Sequence, residues 1–589
     1  MTVQARVANL LWAAASLRAW RRYRRALGSP LRTQAALLSR YVRDNRSTEY
    51  GREFGFSRII GRASVPLASD ERALWDAIAS YQSRVPLVRY DDIEPRVRAI
   101  ALGRTAVLTS EAVQRLTPSS GSTAAAKLLP LTSRLRQEFS RAVDAWLADL
   151  FLQTPSLLGG RAYWSISPAI PTDRSGPVPI GFDDDREYLG GVRSALVRSV
   201  AAVPDAVSRI ADVEAFRYVT LLFLLRARDL RLVSVWHPSY LGRLLDALPG
   251  WFERIVDDIG GGTLSPPGAL PDSVRSVIGA RLPPDRTRAR ELRALTSPDP
   301  RSIWPALALV SCWEDGPARA HAEELRARLS RAALQPKGLV ATEGIVSIPF
   351  RGLHPLALTS HFFEFLDGDA RPRLAHELEA GSEYSLVLTT GGGLYRYRLG
   401  DRVVVDGWVD GTPSVRFAGR DDRVSDRFGE KLSEGFVTHV LEGLFAGRRP
   451  PRFAMLAPEQ DSTGMAYTLF AEMDLIPADL EPRLESALRR NPHYAWCVDL
   501  GQLKPARVIR VGPHADRLYV DWCVARGQRL GDVKPAALHR ETGWSGVLRS
   551  EAAGIRQLVG RCGGDAAESS DAPRPLLKDD YRARTAGER

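Results

Sequence analysis

Cysteine is scarce in this chain: four in 589 residues (Cys312, Cys497, Cys523 and Cys562), far apart and never as CxxC. That excludes a disulfide framework and a cysteine zinc site, and it points to a reducing, cytoplasmic setting. The nine histidines are equally scattered, with no HExxH and no pair at helical spacing beside a carboxylate, so histidine-bound metal is not expected. No apolar run reaches the roughly 18 to 20 residues that span a bilayer, so no integral membrane segment is expected. The nearest, "VANLLWAAASLRAWRRYRR" (Val7 to Arg25), carries its basic residues after the apolar stretch, whereas a secretory signal carries them in front. It reads as an amphipathic helix packed on the protein, with Trp20 and Tyr23 inward.

Lysine is almost missing as well. Of the 81 basic residues six are lysine (Lys127, Lys337, Lys431, Lys504, Lys534 and Lys578), which leaves 75 arginines. Where any positive charge serves, the chain uses arginine, so a lysine marks a place where a compact ammonium beside an oxyanion matters. The formal charge of +12 is spread over the whole length. No basic stripe interleaves with aromatics as single-strand binding needs, so nucleic acid is not expected as a partner. A chain this long with 44% hydrophobic residues exceeds what one core serves, and at least two domains are expected.

What is present begins with Val7 to Tyr50, which reads as helical, and "TEYGREFGF" (Thr48 to Phe56), whose glycines end it. "VPLVRYDDIEPRVRAIALG" (Val85 to Gly103) reads as an extended entry into a helix. "LTPSSGSTAAAKLLPLT" (Leu116 to Thr132) sets five hydroxyls around Gly121, with Lys127 six residues on. Beyond it Leu135, Phe139, Val143, Trp146 and Leu147 recur at three and four, a helix face, so the loop runs from a short extended segment toward a helix. Backbone N–H groups in such places bind anions. The Walker pattern fails, because Ala126 and Leu128 flank Lys127 where glycine and a hydroxyl are required. A serine nucleophile fails too, since neither GxSxG nor SxxK occurs here. A phosphate cradle and a capped helix start both remain open on this loop alone.

Two later stretches bear on the choice. "LQPKGLVATEGIVSIPF" (Leu334 to Phe350) is an extended run, then Thr342 and Glu343 beside Gly344, where backbone can approach a ligand. "EYSLVLTTGGGLYRYRLGDRVVVDGW" (Glu383 to Trp408) is a strand, a triple-glycine turn and a second strand, with Arg398 and Asp401 at its bend. "VRFAGRDDRVSDRFGEKLSEGFV" (Val415 to Val437) follows.

In this order a Ser/Thr/Gly/Lys loop, a TE step, Y-R-x-G-D and G-R-D-D resemble the adenylate-forming enzymes. In detail the chain resembles the auxin-responsive Gretchen Hagen family of acyl-acid amido synthetases, in its bacterial branch. "SSGSTAAAKLLP", "YWSISP", "LVSVWHPSYL", "SCWEDG", "PKGLVATEG", "FFEF", "GGLYRYRLGDRV", "FAGRDDRVSDRFGEKLSE", "NPHYAW" and "GDVKP" carry the resemblance, over roughly Thr48 to Leu538. It implies an ATP- and Mg2+-dependent ligase that adenylates a carboxylic acid and transfers the acyl group to an amine such as an amino acid. Ser119, Ser120, Gly121, Ser122, Thr123 and Lys127 would contact the β and γ phosphates. Thr342 would sit near the α-phosphate, and Glu343 would ligate magnesium. Asp401 would bind the ribose hydroxyls with Tyr397 or Arg398 alongside, and Arg420 would lie near ribose or phosphate. Asp422 would be the hinge, and Lys534 the lysine that reaches the reacting phosphate, with Lys504 as the other candidate. Tyr163, Trp164, Trp236 and His237 are candidates for the acyl pocket.

The implied fold is α/β: a large N-terminal domain of mixed sheets and helices (1–422) and a smaller, mobile α+β domain (423–560), followed by a disordered tail (561–589). One departure from the family pattern is Ala124–Ala126, where such loops usually carry glycine; alanine forfeits positive φ and stiffens the loop. The same motifs also admit an acyl-CoA ligase, or a nucleotide-binding protein without turnover.

Overall fold

The computed structural model describes residues 3–63, 71–118, 127–165, 170–174, 176–182, 191–421, 424–425, 427–448, 450–462, 464–526, 528, 533 and 535–549. The loop Ser119–Thr123, Ala124–Ala126, Asp422, Lys534 and the expected tail lie outside the described residues.

The first helical stretch is two helices: α1 (Val3–Leu27) and α2 (Pro30–Asp44). The break falls at Gly28–Ser29, where a proline follows whose fixed φ suits a first helical turn. Trp12 and Tyr23 of α1 are buried and Trp20 donates to Asp149, so the apolar face turns inward as expected. The glycine-bearing stretch after α2 restarts as a short helix capped by Thr48, whose hydroxyl accepts from Gly51 N–H.

Strand β1 (Val113–Pro118) pairs antiparallel with β2 (Leu128–Thr132), and α3 (Ser133–Gln153) follows directly. Here the structure corrects the sequence reading. The hydroxyl loop joins two paired strands, and a strand stands between it and the helix. Leu128–Thr132 reads poorly as a strand because Pro130 lies inside it; paired against β1 at Leu116, it still sits in an antiparallel ladder.

Four parallel strands then form one sheet in chain order: β3 (Arg161–Trp164), β4 (Leu230–Ser234), β5 (Leu309–Cys312) and β6 (Ala333–Pro336). Helix α4 (Val213–Arg226) precedes β4 and α5 (Pro238–Gly261) follows it, while α6 (Arg319–Arg328) lies between β5 and β6. Alternation along these strands divides two cores. Ala162, Leu232, Leu309 and Trp313 join the core that contains α1 and α3. Tyr163, Val233, Val310 and Cys312 join the core of α4 and α5.

A two-residue hairpin, β7 (Val340–Ala341) and β8 (Gly344–Ile345), leads into a five-stranded antiparallel sheet. Its strands are β9 (Phe362–Leu366), β10 (Pro372–Arg373), β11 (Glu383–Thr389), β12 (Tyr397–Val409) and β13 (Thr412–Arg420), in the order β10-β9-β11-β12-β13. After it come α7 (Glu434–Leu444), β14 (Ala454–Asp461), β15 (Gly464–Glu472), β16 (Lys504–Val511) and α8 (Ala515–Ala525), with β15 central between antiparallel β14 and parallel β16. These carry two cores of their own, beginning at Leu432 and ending at Leu548. The fold is therefore α/β, with a large N-terminal and a smaller C-terminal domain. Among the described residues no helix is long and apolar enough to cross a membrane.

Candidate active site

The charged residues singled out in the sequence come from three distant segments. Lys127 stands at the entry of β2, its Nζ 6.0 Å from the Tyr90 ring, and the next residue's N–H donates to Tyr90 Oη at 2.8 Å. The helix cap that the hydroxyl loop seemed to offer belongs to Thr132: its Oγ1 accepts from Leu135 N–H at 3.1 Å and donates to Gly391 O at 3.0 Å. Thr342 and Glu343 form the turn of the β7–β8 hairpin, between paired Ala341 and Gly344. Asp401 and Arg420 face each other across β12 and β13, with Arg420 Nη1 3.1 Å from Asp401 Oδ1. Asp401 is 5% exposed, so the ion pair is desolvated on one side. Gly400, at φ +84, supplies the bend beside it, in a conformation glycine adopts without strain.

Electrostatics shows that these segments meet. The Glu343 carboxyl is buried, and burial pushes it above the usual carboxylate range; Asp401 raises it further, while Arg420 and Lys127 oppose the rise. Four charged groups from three segments thus act on one another. A buried glutamate whose charge is disfavoured, beside a second carboxylate, suits a hard divalent cation. Magnesium typically takes one or two carboxylates and leaves its other positions to water and phosphate. Among the described residues no cluster of three or more His, Cys, Asp or Glu could hold a metal alone.

The remaining candidates divide. Tyr397 is 1% exposed and belongs to the core, whereas Arg398 is partly exposed, 4.0 Å from Asp421. Trp164 and Trp236 lie on the α3 face of the parallel sheet. Trp164 packs edge-on to Trp146 of α3 at 5.8 Å, and Trp236 lies 5.2 Å from Lys337 Nζ. Their sequence neighbours point the other way. Tyr163 bonds Tyr240 at 2.9 Å within the second core, and His237 caps α5 while its ring packs on His321. The structure therefore separates the four proposed acyl-pocket residues onto two faces: Tyr163 and Trp164 alternate along β3, and His237 turns away from Trp236 to cap α5. Lys504 opens β16 and is exposed.

Behind the site lies a group that the sequence reading missed. Glu138 of α3 has no exposed surface and accepts from Tyr41 O–H at 2.7 Å, from Gly391 N–H at 2.9 Å and from His361 Nδ1 at 3.1 Å. His361 Nε2 in turn accepts from Ile345 N–H at 3.1 Å, which assigns the proton to Nδ1. One carboxylate thus ties α2, α3 and the triple-glycine turn to the hairpin that carries Thr342 and Glu343. A Cβ on Gly344 would come within 2.8 Å of His361 Nε2, and one on Gly391 within 2.5 Å of Glu138 Oε1. The signal was available: Glu138 is a carboxylate inside the apolar stripe of Leu135 and Phe139.

Residues 20–332 match the GH3 family N-terminal domain and residues 354–420 the GH3 family central domain. The chain belongs to the GH3 family. Three relatives illustrate its range. Indole-3-acetic acid-amido synthetase GH3.3 of Arabidopsis thaliana is 23% identical over 472 residues, covering 75% of each chain. Jasmonoyl–L-amino acid synthetase JAR6 of Nicotiana attenuata is 25% identical over 374 residues, covering 58% of this chain and 64% of that one. The solved structure of AtGH3.15 acyl acid amido synthetase in complex with 2,4-DB superposes with a TM-score of 0.74 at 18% identity, over 91% of this chain and 95% of that one. That likeness establishes the fold for this GH3 protein.

Proposed function

We propose that this chain is an ATP-dependent ligase that adenylates a carboxylic acid and transfers the acyl group to the amine of an amino acid. The observation that carries the reading is the convergence of Lys127 and Arg420 on the buried carboxylates of Glu343 and Asp401, within a family whose relatives are amido synthetases for different acids. In the first half-reaction an oxygen of the acid's carboxylate forms a bond to the α-phosphorus of ATP and pyrophosphate leaves. In the second, the amine nitrogen forms a bond to the acyl carbon, loses a proton, and AMP leaves.

Negative charge accumulates on phosphate oxygens in the first step, and preorganised donors stabilise it best. Lys127, with the backbone and hydroxyls of Ser119, Ser120, Gly121, Ser122 and Thr123, holds the β and γ phosphates; Thr342 donates toward the α-phosphate. Asp401, paired with Arg420, accepts from both ribose hydroxyls, with Arg398 at its flank and Tyr397 as buried support. Glu343 holds magnesium, which supplies charge neutralisation on the phosphates when bound. Lys534 brings a second ammonium to the reacting phosphate as the smaller domain, 423–560, rotates about Asp422; Lys504 is the other lysine able to serve. The setting is cytoplasmic, where ATP and free amino acids are at hand.

Acid-dependent exchange of labelled pyrophosphate into ATP tests the first half-reaction, across aryl, indolyl and aliphatic acids. Exchange with one class, abolished in Lys534→Ala while ATP still binds, is the expected result. Silence across the panel with ATP still bound would overturn the ligase reading. Adding amino acids or coenzyme A to the preformed adenylate then identifies the acceptor, and amide is expected where thioester is not.

A further inference from the structure

Helix α1 has two faces, and the fold uses one of them. Ala5, Ala8, Trp12, Ser16, Tyr23 and Leu27 are buried, and Asn9 donates its amide to Gly160 O at 2.8 Å. On the opposite side Val7, Leu10 and Leu11 are 50%, 48% and 57% exposed. Ala14 and Ala15 continue the exposed strip, and Arg18, Arg21, Arg22 and Arg25 extend it toward the end of the helix. At 3.6 residues per turn all nine fall within an arc of about 140°. The outer arc is thus apolar over its first half, about 12 Å long, and cationic over its second, about 10 Å long.

Folding explains neither half. Exposed leucines are ordinary when scattered, but a contiguous exposed strip marks a contact surface. Arginine in a last turn complements the helix dipole, which accounts for Arg24 and Arg25 and leaves Arg18, Arg21 and Arg22 over. The helix carries six arginines and no aspartate or glutamate, in a chain with 69 acidic residues. Among the described residues no carboxylate pairs with Arg18, Arg21, Arg22 or Arg25. The neighbouring Asp149 is met by Trp20 Nε1–H and Arg351 N–H, and the charge it feels from α1 is that of Arg24, which lies over the Trp20 ring. Positive charge continues onto α2. Burial pushes the Arg141 guanidinium down, Glu138 and Tyr41 oppose this, and Arg40 and Arg22 push it down further.

We propose that this outer arc is a docking surface for a lipid bilayer with anionic headgroups. The helix is not long and apolar enough to cross a membrane, and its inner face is committed to the core, so it lies in the interface plane. Val7, Leu10 and Leu11 enter between the headgroups, while Arg18, Arg21, Arg22 and Arg25 meet lipid phosphates and carboxylates. Charge complementarity selects this occupant over a second copy of the chain, whose own α1 offers no acid to meet those arginines.

The test is co-sedimentation of the full chain with vesicles of phosphatidylcholine alone and of phosphatidylcholine mixed with phosphatidylserine, alongside its mass in solution by light scattering. Binding is expected to the mixed vesicles only, and it should weaken as salt rises. Arg18→Gln with Arg22→Gln should lower the affinity about 10- to 30-fold, and Leu10→Ser with Leu11→Ser about 10-fold or more. Both pairs should keep the wild-type Tm, because every replaced side chain faces outward; the arginine pair serves alone should the leucine pair fail to fold. Failure to bind the mixed vesicles, or binding that either pair leaves unchanged, would overturn the proposal. A chain that ignores vesicles but forms a dimer dissolved by Leu10→Ser with Leu11→Ser would overturn it too, and would assign the arc to a second copy.

Discussion

Glu138 is tolerated without any exposed surface because three donors from three other segments meet it. Removing it strands Gly391 N–H and His361 Nδ1–H in an apolar interior, while Tyr41 O–H keeps its second acceptor, Ser360 O at 2.9 Å. Glu138→Ala is therefore expected to cost about 3–5 kcal/mol, measured by urea unfolding, and to impair adenylation through the displaced Thr342–Glu343 turn. Glu138→Gln keeps one acceptor oxygen and should recover part of the stability. The charges of the site were legible at this scale. Asp401, Arg420, Glu343 and Lys127 all sit in motifs that resemblance picks out, while Glu138 and His361 sit in none. Asp401→Asn is expected to raise the apparent KM for ATP by about 10-fold or more, as loss of a charge-assisted acceptor does, with little change in thermal stability. Equal loss of both would mean that the Asp401–Arg420 pair is structural.

Elements were legible where their pattern was long and local. The helical face from Leu135 to Leu147 and the strand–glycine–strand run around Gly391–Gly393 could be seen directly. Short strands could not. Leu128–Thr132 contains a proline and has five residues, so its pairing with Val113–Pro118 comes from tertiary context. The same limit explains Tyr163 and His237: the family resemblance marked them as pocket candidates, but alternation along β3 turns Tyr163 to the second core and the cap of α5 takes His237. One junction makes a further prediction. Gly419, at φ +137 on β13, lies against Gly435 of α7, and an added Cβ would fall 2.7 Å from Gly435 Cα. Gly419→Ala should cost about 1–3 kcal/mol by overpacking, read as a lowered Tm, with the join between β13 and α7 the first to exchange hydrogen.

At the scale of the molecule, the two domains meet through ion pairs: Arg243 with Asp516 at 2.9 Å, Arg452 with Glu324 at 2.5 Å and Arg319 with Glu442 at 3.4 Å. A cavity of about 260 Å³ lies among the first two, lined also by Arg217, His321 and Glu472. The proposed rotation of the smaller domain would break these contacts, so Arg243→Gln should make it more mobile in small-angle scattering and faster to proteolysis. Burial, with the adjacent Asp516 charge, pushes Glu472 up to about 7; Arg452 and the backbone N–H groups of Ala515 and His514 pull the other way. A raised carboxyl stabilises the fold while protonated, and that contribution is lost as pH rises through about 7. Asp516 works oppositely: burial alone would raise it, but Arg243 and His321 hold it below its usual range, so its contribution disappears only in acid. From Glu472, thermal stability should decline between about pH 4.5 and 7, and Glu472→Gln should flatten that decline.

The first helix has a consequence in time. Tyr23 O–H donates to Leu356 O at 2.9 Å, and Leu27 O accepts from Thr412 Oγ1 at 2.8 Å, a partner 385 residues further along the chain. Synthesis at roughly 5–20 residues per second delays that partner by about 20 to 80 s. During translation the nascent α1, with Trp12 and Tyr23 still uncovered, has to wait on the ribosome for the strand that will hold it.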